Sequence, residues 1–119
     1  MDDCSATLAE LKKRVVDMCV RRGWGENGVQ NPQHVAMAMT VEMSELLEHF
    51  SWLDKADVDR LLSGGDPERT ALIAEEFADV MIYGLQLANA LNIDVTQQIL
   101  RKIDIVHRRH GDDPSPERK

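Results

Sequence analysis

The sequence predicts an all-α, four-helix bundle-like domain, and three features of the chain point to it. Apolar residues recur at three- and four-residue spacings over most of its length. Asn31-Pro32 and Asp66-Pro67 each stand where a long apolar-periodic segment begins, a side-chain cap followed by proline in the first helical position. No segment bounded by turn residues alternates apolar and polar with the period of two that a half-buried strand shows.

The first helix is expected from a cap at Ser5 to about Arg22, with Leu8, Leu11, Val15, Met18 and Cys19 on one stripe. Gly23, Gly25 and Gly28 then mark a loop. Asn31-Pro32 opens a second helix that reaches about Trp52, its buried stripe centred on Val35, Met39, Leu46, Phe50 and Leu53. Residues 54–65 hold a turn or two of helix around Val58, Leu61 and Leu62, and stop at Ser63-Gly64-Gly65. Asp66-Pro67 opens a third long helix to about Leu91, apolar through Ala74, Phe77, Met81, Leu85 and Ala88, as a central helix should be. Asp94 caps the last helix, with Gln97 in capping-box spacing and Val95, Ile99, Ile103 and Val106 turned inward. It ends near His110-Gly111. The expected organisation is one domain over 1–111 and a flexible tail over 112–119.

At 119 residues, 43% hydrophobic, the chain can form an unaided core, and its five aromatic residues make that core mainly aliphatic. A net charge of −7 argues against a nucleic-acid polymer as partner. A phosphorylated small molecule remains compatible if a cation stands between the two sets of negative charge. Cys4 and Cys19 form no Cys-x-x-Cys pattern and suit a reducing compartment. No apolar run reaches the length of a membrane span, and the acidic start is unlike a signal peptide, so a cytoplasmic protein with no membrane partner is expected.

Four acids carry the chemistry. Glu42 and Glu45 flank the apolar stripe of the second helix, with His49 and Trp52 further down the same edge. Glu76, Asp79 and Tyr83 share one edge of the third long helix. Glu42-Met43-Ser44-Glu45-Leu46 and Glu76-Phe77-Ala78-Asp79-Val80 repeat one pattern, so two like helices can face each other across a site. Two carboxylates about 4 Å apart repel by roughly 4 kcal/mol at an effective dielectric near 20. Neither helix offers a counter-charge, since there is no Lys or Arg from Asn31 to Trp52 or from Ala71 to Leu91. Acid pairs at this spacing are common on solvated helix faces, and solvation would account for one pair alone. For two pairs on two amphipathic helices, solvated faces and a bound cation stand about level as explanations, and if a cation is held, hard oxygen ligands select Mg²⁺, Mn²⁺ or Ca²⁺ over zinc.

The segment NPQHVAMAMTVEMSELLEHFSWL, followed by EEFADVMIYGLQLANALNIDV and by Lys102-Ile103-Asp104, closely resembles the MazG-like and dCTPase-like all-α nucleoside triphosphate pyrophosphohydrolases. Their Glu-x-x-Glu and Glu-x-x-Asp signature is matched by Glu42, Glu45, Glu76 and Asp79. The resemblance implies a MazG-type bundle completed by oligomerisation, as a homodimer or homotetramer. It implies hydrolysis of a (deoxy)nucleoside triphosphate to monophosphate and pyrophosphate, with nucleotide-pool sanitation as the purpose. Mg²⁺, or Mn²⁺ as substitute, would be held by the four acids; general metal chemistry adds that one acid, Glu45 by first choice, serves as base rather than ligand. Trp52 and Tyr83 would line the nucleotide pocket and Lys102 would meet the phosphates; His34 and His49 are each either pocket-lining or structural. Val106 stands where many members carry Asn, and His110-Gly111 where a Tyr-Pro is frequent. His107, Arg108 and Arg109 either contact phosphate or serve the negative helix end. The alternative reading is a catalytically silent nucleotide-binding or regulatory helical module. A di-iron bundle would need Glu-x-x-His on two helices, and the chain offers only Asp104-x-x-His107.

Overall fold

In the computed structural model, which describes residues 1–110, five helices follow one another: α1 (Leu8–Arg22), α2 (Pro32–Glu48), α3 (Lys55–Leu62), α4 (Pro67–Leu91) and α5 (Val95–His110). The tail expected over 112–119 lies outside the described residues. Four of these are the expected long helices. The fifth, α3, is a regular eight-residue helix where a turn or two was expected, because Asp54 and Asp57 close a capping box at its start and Arg60 pairs with Asp57.

Local side-chain chemistry sets the helix starts. Asn31 caps α2 by accepting from the backbone of Gln33 at 2.8 Å and His34 at 3.4 Å. Asp66 caps α4 through the Arg69 N–H, and Asp94 accepts from Gln97 N–H at 2.9 Å at the head of α5. Ser5 does not cap α1. Its hydroxyl is engaged with Asp2 in a preceding turn, and Thr7 caps instead, closing a box with Glu10. α2 ends at Glu48 rather than near Trp52: His49 and Phe50 donate to the carbonyls of Leu46 and Leu47 in a tightened last turn.

α4 is the central element, about 37 Å long at 1.5 Å per residue, and both α1 and α2 pack on it. Gly84 faces α2: Met39 Cε lies 3.5 Å from where a Cβ on Gly84 would sit, an ordinary van der Waals distance. On the α1 side Val15, Cys19 and Leu85 form a buried cluster to which Leu8, Met18, Ile82 and Val95 are packed. Two hydrogen bonds clasp α1 to the end of α4, Lys12 Nζ to the Ile93 carbonyl at 2.8 Å and Asn89 Nδ2 to the Lys12 carbonyl at 3.1 Å. The buried apolar set is small: Val15, Cys19, Val35, Val80, Leu85 and Ala88.

Several residues expected inside are not. Phe50 is 40% exposed, Phe77 55% and Met81 44%; Ala74 and Leu11 are exposed too. On α5 only Val95 joins the core cluster, while Ile99, Ile103 and Val106, expected inward, remain exposed. The cause is geometric. α4 carries apolar residues around most of its circumference, and α1 and α2 cover only part of it.

The loop between α1 and α2 is tightly formed. Glu26 and Val29 exchange backbone hydrogen bonds, and Gly25, Asn27 and Gly28 all have positive φ. A Cβ on Gly28 would lie 2.8 Å from Val20 Cγ2 and 2.9 Å from the Val16 carbonyl, so glycine is required for the loop to lie against α1.

Candidate functional site

α2 and α4 run side by side so that the Glu-x-x-Glu turn of one meets the Glu-x-x-Asp turn of the other. Carboxylate oxygens of Glu42, Glu45 and Glu76 all lie within 4.8 Å of one another. Asp79 is outside that trio but close enough for its charge to act on both Glu42 and Glu76. Glu42 and Glu76 are half-buried, Glu45 and Asp79 exposed.

The electrostatics are unrelieved. Burial first, then the hydrogen-bonded carboxyl and charge of Glu45, then the charges of Asp79 and Glu76 push the Glu42 carboxyl above the usual carboxylate range. Glu76 is raised as well, by burial first and then by the charges of Glu45 and Asp79, against a smaller opposing effect from His49. Glu42 Oε2 and Glu76 Oε2 are buried without a hydrogen-bond partner. Two buried acceptors with no donor, beside two further acids, form a donor set that fits a hard divalent cation. This is the one cluster of three metal-ligating side chains among the described residues; it contains no histidine, and Asp104 and His107 lie apart on α5.

The other residues singled out from the sequence fall in different places. His49, the C-cap of α2, faces the acids closely enough to act on Glu76. Tyr83, one turn along α4 from Asp79, lines a separate cavity of about 380 Å³ with Gly25, Gln30, Asn31, His34 and Val35. Trp52 lies beyond the end of α2 and is 92% exposed. Lys102 stands on α5 in an apolar recess with Ile99, Ile103, Val106 and His107.

The structure also brings forward residues that periodicity alone did not pick out. Gln30 and Asn31, read as loop and cap, form part of the wall of the Tyr83 cavity. Gln86 is buried in α4, 6% exposed, with Oε1 unpaired. Its signal in the sequence was one amide inside the apolar run Ile82–Ala88. Arg14, Arg21 and Arg22 border an open groove on α1, where Arg22 lies 5.8 Å from the Trp24 ring.

Comparison with known proteins gives a consistent set of likenesses. The MazG-like family model matches residues 37–116, a stretch that contains all four acids. The chain is 31% identical over 104 residues to dCTP pyrophosphatase 1 of Homo sapiens, covering 87% of this chain and 59% of that protein. Over the same lengths it is 28% identical to the Mus musculus and 29% identical to the Bos taurus proteins of that name. The chain thus spans 59% of the length of these curated relatives.

Proposed function

The chain belongs to the MazG-like family, and on that premise we propose that it hydrolyses a nucleoside triphosphate to the monophosphate and pyrophosphate at the acids of α2 and α4. The observation that carries this reading is the meeting of Glu42, Glu45 and Glu76, with two of their oxygens buried and unpaired. The name of its relatives, dCTP pyrophosphatase, supports the same reaction and a deoxynucleotide among the substrates.

Glu42, Glu45, Glu76 and Asp79 would hold Mg²⁺, with Mn²⁺ as substitute; when bound, the ion would link these carboxylates to phosphate oxygens, offset developing charge and acidify a water. The remaining steps fall to the chain. Glu45 is exposed and contacts both Glu42 and Glu76, so it can take the proton of the attacking water while they stay in place. The new bond forms between the water oxygen and the α-phosphorus, and the bond from that phosphorus to the α,β-bridging oxygen breaks. Pyrophosphate departs and the nucleoside monophosphate remains. His49 lies where it can balance the charge of Glu76. Tyr83 and its cavity take the nucleoside, within the usual size range of ligand pockets. Trp52 and Lys102, on exposed segments, meet the nucleotide in a homodimer or homotetramer in which copies complete one another's sites. Nucleotide-pool sanitation in the cytoplasm is the purpose that fits the reaction.

Pyrophosphate release from a panel of ribo- and deoxyribonucleoside triphosphates, with Mg²⁺ and with EDTA, tests the reading. The expected result is EDTA-sensitive formation of pyrophosphate and monophosphate in equal amounts. Folded protein that is silent on every substrate would overturn it. Glu45→Gln is expected to lower kcat by about 10²-fold or more, in keeping with loss of a general base, with unchanged helicity; a fully active variant removes Glu45 from the mechanism.

A further inference from the structure

The charge balance of α1 is opposite to that of the whole chain. The chain carries a net −7, yet α1 holds Lys12, Lys13, Arg14, Arg21 and Arg22 against Glu10 and Asp17. Two of the five cations have partners: Lys12 donates to the Ile93 carbonyl at 2.8 Å, and Lys13 pairs with Asp17 at 2.9 Å. Glu10 is turned back to the Thr7 cap. Arg14, Arg21 and Arg22 remain, and none of them forms an ion pair among the described residues. Asp2 and Asp3 line a hollow that Arg14 also borders, without pairing with it.

The three free arginines line one groove of about 570 Å³, completed by Asp17, Met18 and Trp24. Arg14 and Arg21 stand two turns apart, almost in line and about 10 Å from each other along the helix. Val15 and Cys19 of the same helix enter the core. At 3.6 residues per turn, Arg14 and Arg21 point roughly 120 to 140° away from that direction, on an outward face. Arg22 lies at the end of the groove over the Trp24 ring, 5.8 Å from its centroid. Asp17, the one acid in the lining, is already neutralised by Lys13. The negative end of a helix accounts for basic residues in its last turn, which covers Arg21 and Arg22. Arg14 lies two turns before that end, outside the reach of this effect. Like charges gathered without a counter-charge repel one another, and a multivalent anion relieves them.

We propose that this groove is a second ligand site, of opposite sign to the acid cluster, that takes a polyphosphate group. Each guanidinium offers a planar fork of donors matched to phosphate oxygens. Their spread over about 10 Å along α1 suits a chain of phosphates rather than one isolated anion. The groove shares no lining residue with the Tyr83 cavity or with the acids, and its cationic lining requires no metal to hold an anion. Inorganic polyphosphate and the phosphate chain of a nucleotide present the same chemistry to it. The proposal is independent of the pyrophosphohydrolase reading, since it concerns binding on α1 and not turnover between α2 and α4.

The test is calorimetric titration of the full chain with inorganic tripolyphosphate and with ATP, both in EDTA, where the metal-free acids repel anions and cannot hold either probe. One site per chain is expected. Arg14→Gln with Arg21→Gln, folding checked by circular dichroism, is expected to weaken binding of both probes by about tenfold or more, as loss of charge-assisted hydrogen bonds implies. A control of equal charge change away from the groove, Lys55→Gln with Arg101→Gln, is expected to leave affinity within about twofold. Tripolyphosphate binding as tightly as ATP identifies the phosphate chain alone as the ligand; tighter binding of ATP, lost in the double variant, identifies a nucleotide, and either supports the site. No binding of either probe overturns the proposal, as does unchanged affinity in the folded double variant or an equal loss in the control. If the double variant does not fold, Arg22→Gln decides: a several-fold loss supports the site and unchanged affinity overturns it. Pyrophosphate release with Mg²⁺ is scored separately, so either reading can fail alone.

Discussion

At the level of single residues, Glu42 and Glu76 each contribute to how the stability of the molecule depends on pH. Both carboxyls are raised, by burial foremost and by neighbouring acids next. A raised folded-state value means that the native state binds more protons than the unfolded chain. Their contribution to stability is therefore complete below the ordinary glutamate value of about 4.3 and is lost as pH rises through the raised values. A bound divalent cation competes with those protons, so its effect should run the other way. Without metal, the melting temperature of wild type relative to Glu42→Gln should fall from about pH 4.5 to 7. Over the same interval the increment given by saturating Mg²⁺ should grow, reaching about 2.7 kcal/mol at a hundredfold excess over Kd. Thermal denaturation at stepped pH, with and without Mg²⁺, measures both; an increment that ignores pH would count against these ligands. The acids were legible in the sequence because i, i+3 spacing and the lack of nearby cations are local facts. The cavity of Gln30, Asn31, His34 and Tyr83 was not, because it depends on how the 23–31 loop folds over α2 and α4.

At the level of elements, helix beginnings could be read where the cap is a side chain and a proline follows. Asn31 and Asp66 cap as expected, since each needs only its own next few residues. Replacing Asn31 by Ala should cost about 1 kcal/mol of stability and also disturb the wall beside Tyr83, which a lowered denaturation midpoint together with a raised KM would show. The misplaced cap at Ser5 has a local cause, because Asp2 captures Ser5 before α1 begins and leaves the Thr7–Glu10 box as the start. The inward stripe expected on α5 could not be resolved by periodicity, which reports an apolar face but not which body covers it. Gly28→Ala makes a sharper test of the loop. Its positive φ and the nearby Val16 carbonyl leave no room for a methyl group, so a loss of about 1 kcal/mol or more is expected by chemical denaturation.

At the level of the whole molecule, six buried apolar residues among the 110 described are few, and Phe77, Met81, Ile99, Ile103 and Val106 lie outside that set. Apolar side chains exposed on this scale mark surfaces that meet other proteins. A homodimer or homotetramer is therefore expected by light scattering at micromolar concentration, with Ile103→Glu shifting it toward monomer; a monomeric wild type would contradict this. The clasp at Lys12 adds a mechanical consequence. α5 has 16 residues and is about 24 Å long, and it is anchored at its root, where Lys12 holds the Ile93 carbonyl just before the helix begins. A tilt of about 10° at that root would carry its far end some 4 Å, about three-quarters of the 5.4 Å height of a helical turn. A side chain on α1 thus ties down the corner from which α5 reaches out, and Lys12→Met is expected to alter the dimensions of the protein in solution scattering.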